Sequence, residues 1–196
     1  MVEDDRGQAL TLEAVSGALL LLVAIGFALQ MTAVTPLSAS TSSQHLENQL
    51  QSTGEGVLAS TAETGALKTA VLNWNETEEQ FQGAGEEEYY RNGSLGNAFG
   101  DALNRTYGDR NIAYNVYVHY QTAAGGTETQ QMVFQGEPTD HAVSASRTVA
   151  LLDSNNLTSA GDNPALSDAG AFYAPDAADD DPLYNLVVVE VVAWRI

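Results

Sequence analysis

The sequence predicts an α+β protein in which a long N-terminal transmembrane helix packs its distal half on an antiparallel sheet of about four strands. Three observations predict it. Ala14–Val34 (AVSGALLLLVAIGFALQMTAV) carries no charge, and after Glu13 the next ionisable side chain is His45. From Gln44 to about Asn73 the apolar residues recur at helical spacing. From Ile112 onward they fall into strand-like stretches separated by turn residues.

Residues 1–8 read as a short polar leader and residues 9–35 as the transmembrane helix. At about 1.5 Å per residue, Ala14–Val34 as a helix covers roughly 31 Å, close to the hydrocarbon thickness of a bilayer. Gly17 and Gly26 are tolerated in membrane helices. A buried helix of a soluble domain would need protein on every side, and the rest of the chain is too polar to wrap it easily. A secretory signal cut near Ser38-Ala39-Ser40 is the other alternative, but the apolar run is long for one and the start, MVEDDRG, is net acidic. Pro36 marks a bend or interruption at the membrane surface.

Residues 36–196 read as one acidic extracytoplasmic α+β domain, long enough for a sizeable core. Leu46, Leu50, Val57, Leu58, Leu67, Val71 and Trp74 make one apolar helical stripe. Gly54, Gly56 and Gly65 weaken it, so a broken or kinked helix is expected to about Asn73. Asn75–Gly93 is a polar, Glu-rich connection. Ser94 is placed to cap a helix with Leu95, Phe99, Ala102 and Leu103 on one face, stopped by Gly108. Ile112–Gln121 alternates at period two, turns at Ala123–Gly126 and returns over Glu128–Gln135 as a hairpin. His141–Leu152 is a third strand. Asn155–Pro182 is a loop of a length that is functional or mobile more often than inert. Leu183–Trp194, with a near-continuous Val run, reads as a strand with little water on either face.

The formal net charge is -19, from 26 acids against 7 bases, and Lys68 is the sole lysine. Such a surface repels phosphates, which disfavours nucleic acid as a partner. It also suits proteins of salt-loving organisms, where salt screens the self-repulsion. A cation site is the rival explanation. The densest acidic run, Asp176–Asp181, lacks the alternating acids, central glycine and closing glutamate of an EF-hand loop, and reads as a solvated loop. With no cysteine, the chain has no disulfide, thiolate nucleophile or zinc–thiolate site.

Four Asn-x-Ser/Thr sequons follow the apolar stretch, at Asn75, Asn92, Asn104 and Asn156. They are candidate glycosylation sites on a head outside the cell, Asn104 the weakest because it falls in an expected helix. His45, His119 and His141 are far apart in sequence. His119 and His141 lie on expected strands that could be neighbours, but without metal-site spacing they read as surface or half-buried histidines. Trp194-Arg195 could stack at the membrane interface, or Trp194 could close the last strand from the core. GxSxG, Walker A and GxGxxG are absent. The expectation is a protein that is not an enzyme, with no metal and no cofactor.

Arg6-Gly7-Gln8-Ala9-Leu10-Thr11-Leu12-Glu13, leading into the apolar run, resembles the start of type IV pilin-like precursors. These have a short leader, often ending in Gly, then an apolar helix with Glu at the fifth mature position. A cut after Gln8 places Glu13 fifth, and a cut after Gly7 places it sixth. Gln8 onward is loosely similar to the archaeal class III signal Gln-x-Ser-x-Glu, with Leu10 in the place of Ser and Glu13 one residue late. The resemblance implies processing at Gly7 or Gln8. It also implies that Glu13 neutralises the free N-terminal amine of a neighbouring subunit, since a buried carboxylate needs such a partner. Read from the residues alone, Glu13 is equally an acid in a helix's first turn, favoured by the dipole. The whole chain also looks like an uncharacterised haloarchaeal membrane-protein family, through GQALTLEAVSGALLLL, TAVTPLSASTSSQ and VVVEVVAWRI.

Two functions follow as expectations. The first is a pilin-like or minor-pilin-like structural subunit of a cell-surface or secretion assembly, single-pass in the cytoplasmic membrane with its head outside. Its partners would be the lipid bilayer, other pilin-like subunits and membrane assembly machinery, with Gly17 and Gly26 helping helices pack. The alternative is a single-pass anchored extracytoplasmic protein that binds a sugar, a cation or a partner and does not polymerise. An anchored hydrolase is a distant third for want of a site.

Overall fold

The structure, a computed structural model, describes residues 3–91, 95–108, 110–159, 161, 163–178 and 180–196, the side chains of 3–12 and 29–43 excepted. The chain divides into two units, Met1–Leu46 and Glu47–Ile196. Helix α1 (Glu3–Glu63) contributes to both.

In the first unit the helical backbone continues through position 36, so Pro36 does not end it. Here the expected fold is corrected: among the described residues no helix is long and apolar enough to cross a membrane. The described apolar side chains cover residues 13–28. A spanning helix must carry apolar side chains through roughly 30 Å of hydrocarbon. The transmembrane, pilin-like fold expected over residues 9–35 is therefore not found. What is found is an α+β protein with a four-stranded antiparallel sheet.

In the second unit, Gly65 stops the helical run. It adopts φ +77°, which glycine reaches without strain, and α2 (Ala66–Val71) starts from it. The expected break is thus at Thr64-Gly65, while Gly54 and Gly56 stay within α1. The short strands β1 (Trp74–Asn75) and β2 (Gln80–Phe81) form a hairpin inside the expected polar connection. Helix α3 (Ala98–Leu103) is capped by Asn97, whose side chain accepts the Gly100 N–H at 3.0 Å. Ser94, the expected cap, lies outside the described residues. A π-helical turn over Asn104–Gly108 ends this segment.

Strands β3 (Ile112–Gln121), β4 (Thr127–Val133), β5 (Val143–Leu152) and β6 (Leu183–Arg195) pair in the order β4-β3-β6-β5. The register sets Val116 and Ala145 on either side of Val191, and Val149 opposite Val187, so one face carries an apolar ladder, interrupted on β5 by the exposed Arg147 opposite Val189. That face joins one core cluster with Leu58 of α1, Leu67 and Val71 of α2, and Phe99 and Leu103 of α3. The opposite face of β6 is not dry. Val188, Glu190 and Val192 are half-buried and Leu186 is exposed, because the sheet carries its main core on one side only. Trp194 is buried to 2 % exposure and Arg195 is exposed, so the tryptophan closes the last strand.

The 153–182 segment is stitched down. Thr158 N–H donates to Leu72 O at 2.9 Å, Asn185 Nδ2 to Pro175 O at 2.8 Å, and Tyr184 OH to Ala174 O at 3.0 Å. Trp74 stands against Phe81 and Tyr173, with ring centroids 5.3 and 5.1 Å away, and donates Nε1–H to Ala171 O at 2.6 Å.

Helix α1 reaches the sheet closely at one point. A methyl on Gly54 would stand 3.0 Å from Ala145 Cβ and 3.1 Å from Tyr107 OH. Helix propensity alone favours Gly54→Ala by about 1 kcal/mol. Ala145 Cβ cannot rotate away, so overpacking of about 1–3 kcal/mol opposes that gain. We expect a net loss of stability, read as a lower urea midpoint. Among the described residues the buried Tyr107 hydroxyl has no hydrogen-bond partner. Tyr107→Phe removes that cost, and the urea midpoint should rise, by up to about 1–3 kcal/mol of stability.

Burial pushes the hydroxyls of both Tyr107 and Tyr114 up to about 12. A raised folded-state value means that the unfolded chain gives up these protons first. Their contribution is intact below pH 10, where free tyrosine ionises, and is lost as pH rises through about 12. Alkaline titration should show tyrosinate absorbance from these two rings appearing together with loss of secondary structure.

Candidate functional site

Two surfaces stand out, one in each unit. In the first, Leu19, Leu20, Leu21, Leu22 and Val23 are each 56–72 % exposed. Five consecutive residues at about 100° each go right round a helix, so the apolar surface has no polar side. Val15, Ile25 and Phe27 extend it, and Glu13 is the one charge among residues 13–28.

In the second unit the open face of the sheet carries a polar row. His119 of β3 sits beside Val188 of β6 and opposite Thr129 of β4. Its Nδ1 lies 2.8 Å from Thr129 Oγ1 and its Nε2 lies 3.0 Å from Glu190 Oε2. A carboxylate only accepts, so Nε2 donates to Glu190; Nδ1 accepts from the Thr129 hydroxyl when it carries no proton and donates to it when it does. The row thus links hydroxyl, imidazole and carboxylate, and can polarise the hydroxyl. The side chains of His119 and Glu190 are 29 % and 28 % exposed and Thr129 is exposed, so water reaches every member. Tyr117 lies next along β3, its ring 6.4 Å from that of His119, and accepts from Asn115 Nδ2 at 3.0 Å.

A depression of about 510 Å³ lies where the end of α1 meets α2 and α3, with Ser60, Thr64, Thr69 and Arg105 on its wall. The three hydroxyls donate to the backbone carbonyls of Val57, Ser60 and Gly65, so they offer lone pairs outward. Arg105 supplies the donors. A neutral polyhydroxy ligand suits that mixture better than an anion.

The sequence-expected residues fall as follows. Gly7 and Gln8 are helical in backbone, with side chains outside the described residues. Glu13 is exposed on α1. Asn75 ends β1, Asn104 opens the π-helical turn, Asn156 is exposed in a bridge with Ala165, and Asn92 lies outside the described residues. His119 and His141 do not meet: His141 pairs through Nδ1 with Glu47 Oε1 at 2.9 Å. His45 is exposed in the first unit. Asp176 and Asp181 line an open depression of about 380 Å³, and among the described residues no group of three or more acids or histidines could hold a metal ion. Thr129, Glu190 and Arg105 were not found by sequence reasoning. Period two places Thr129 and Glu190 on a face, but which strand lies beside which is not written in any local pattern, nor is the packing of helices that puts Arg105 at the depression.

Residues 6–193 match the family of unknown function DUF7288, and the chain belongs to that family. No curated protein and no solved structure matches it.

The His119–Glu190 pair is partly solvated, so it should contribute only about 0–1 kcal/mol. His119→Ala and Glu190→Gln should each move the urea midpoint by no more than that. A loss of several kcal/mol in either variant would show the pair to be desolvated.

Proposed function

We propose that this protein is a structural subunit of a cell-surface or secretion assembly, pilin-like or minor-pilin-like in its N-terminal segment. In this reading it is held at the cytoplasmic membrane with residues 47–196 outside the cell, and it is not an enzyme. One observation carries the reading: eight large apolar side chains between Val15 and Phe27 are exposed at 50 % or more. Removing such a side chain from water is worth about 1.5–3 kcal/mol. A contiguous surface of this kind marks an interaction site. The partners it fits are the same segment on neighbouring subunits and the apolar margin of the lipid bilayer. The reading requires no helix that crosses the bilayer.

The residues before the segment agree. Gly7 and Gln8 stand where a class III-like signal is cut, and Glu13 then lies close to the new amine, whose charge on a neighbouring subunit it would balance inside an apolar assembly. The acid excess of the chain fits a haloarchaeal member of the family. Nucleic acid is excluded as a partner on the same charge argument. The hydroxyl–imidazole–carboxylate row does not alter the non-enzymatic reading, because an open sheet face excludes no water from its members.

A second reading is favoured by the hydroxyl-lined depression at Arg105: an anchored binding protein for a polyhydroxy ligand that does not polymerise. The two readings differ at Glu13. For the assembly subunit, Glu13→Gln should reduce co-purification with partner subunits from native cells at least tenfold, and Leu20→Glu with Leu21→Glu should abolish it. For the binding protein, Glu13→Gln changes nothing. Wild-type protein that is monomeric and stays in solution without detergent would overturn both.

A further inference from the structure

The three described sequons differ in what their backbone, amides and hydroxyls are doing. Asn156 Nδ2 donates to Asn163 O at 2.8 Å, and the middle residue of its triplet, Leu157, is buried at 2 % exposure. Asn104 sits in helical backbone, φ -62° and ψ -44°, at the head of the π-helical turn. Its Oδ1 lies 3.3 Å from the Tyr114 hydroxyl, and Thr106 of the same triplet turns its hydroxyl back to Ala102 O at 2.7 Å.

Asn75 is different. Its Oδ1 accepts the Thr77 N–H at 2.9 Å and the Glu78 N–H at 3.3 Å, closing an Asx turn over Asn75-Glu76-Thr77. Both donors are backbone N–H groups, so the atom facing them is the oxygen and Nδ2 points elsewhere. Among the described residues Nδ2 has no hydrogen-bond partner, nor has the Thr77 hydroxyl. Thr77, Glu78 and Glu79 are exposed.

The turn is held from beneath. Asn75 pairs with Gln80 and Trp74 with Phe81 across the hairpin. Trp74 and Phe81 are anchored in the core at 3 % and 1 % exposure. Glu76 Oε1 accepts the Gly170 N–H at 2.6 Å and the Ala171 N–H at 3.3 Å. Asn75 is half-buried at the base of this exposed turn, and an attachment at its Nδ2 would break no hydrogen bond among the described residues.

We propose that Asn75 is a site of N-linked glycosylation, and that the folded hairpin presents it ready-shaped to the transferase. The donor class is a saccharide carried on a polyprenyl phosphate or diphosphate. Asn75 Nδ2 attacks C1 of the terminal sugar and the C1–O bond to the lipid phosphate breaks. The lipid phosphate leaves with the electron pair, and Nδ2 releases one proton. The reaction neither consumes nor supplies electrons. The free Thr77 hydroxyl completes the triplet that the transferase reads. The inference rests on residues 47–196 lying outside the cytoplasm, which protease treatment of intact cells reads separately.

The experiment is intact-mass and glycopeptide mass spectrometry of the full chain purified from its native cells, beside Asn75→Gln, Thr77→Ala and Thr77→Ser. The expected result is a saccharide mass on the peptide containing Asn75. It should be lost in Asn75→Gln, lost or reduced at least tenfold in Thr77→Ala, and kept in Thr77→Ser. All three changes lie at the exposed turn, and circular dichroism checks that each variant is folded. An unmodified Asn75 on a protein whose head is protease-accessible in intact cells overturns the inference and leaves the assembly reading standing. The same holds if Asn104 or Asn156 is occupied while Asn75 is bare. A head that is inaccessible in intact cells and cut after lysis overturns the reading of its location and the inference with it.

Discussion

The register of three strands governs the second unit. When β6 lies between β3 and β5 with Val116, Val191 and Ala145 abreast, alternate residues of β3 and β6, with Ala145, Val149 and Leu151 of β5, fall on one apolar face, Arg147 at its exposed β5 margin. A slip of one residue would turn that set to solvent and bring Glu190 and Val192 inward. The same register fixes the open face, because it is what sets His119 of β3 within 3.0 Å of Glu190 on β6. It also decides how α1 docks. Ala145 is small and Gly54 has no side chain, so the helix backbone comes down onto the sheet at that point. Tyr107 packs there at 5.4 Å from the Tyr114 ring, and among the described residues its hydroxyl has no hydrogen-bond partner.

Much of that arrangement is legible in the sequence. The expected strands over 112–121, 141–152 and 183–194 match β3, β5 and β6 to within two residues, because long alternating stretches state both the element and its buried face. The hairpin at Trp74 and Phe81 was not legible. Two-residue strands are too short to show a period, and they exist because Trp74, Phe81 and Tyr173 stack, a contact between residues about a hundred positions apart. The α3 cap failed on the same kind of detail. Asn97 caps from an extended backbone, at φ -137° and ψ 171°, three residues beyond the expected Ser94.

The candidate sites were legible as residue types and not as arrangements. A sequon is a local pattern, but whether its amide is free depends on the fold. Asn75 and Asn156 carry the same triplet chemistry, and only the structure shows Oδ1 of one engaged in a turn and Nδ2 of the other engaged with Asn163. Two histidines on strands suggested a shared site, yet His119 and His141 each took a glutamate of their own. The apolar segment was legible in composition: the described residues give a helix surface apolar on all sides, and among them no helix is long and apolar enough to cross a membrane.

Charge sets the terms on which the apolar segment can act. With 26 acids against 7 lysines and arginines, at least 19 carboxylates lack a lysine or arginine to pair with, so any two copies of the protein repel. Burying the leucines and valines of residues 15–27 against another copy must outweigh that repulsion. At about 0.15 M salt the screening length is roughly 8 Å, longer than a contact distance, whereas at 1 M it is about 3 Å. The apolar gain changes little over that range by comparison, while the electrostatic cost falls steeply. Were the protein the proposed subunit, its assembly would be favoured at high ionic strength and opposed at low.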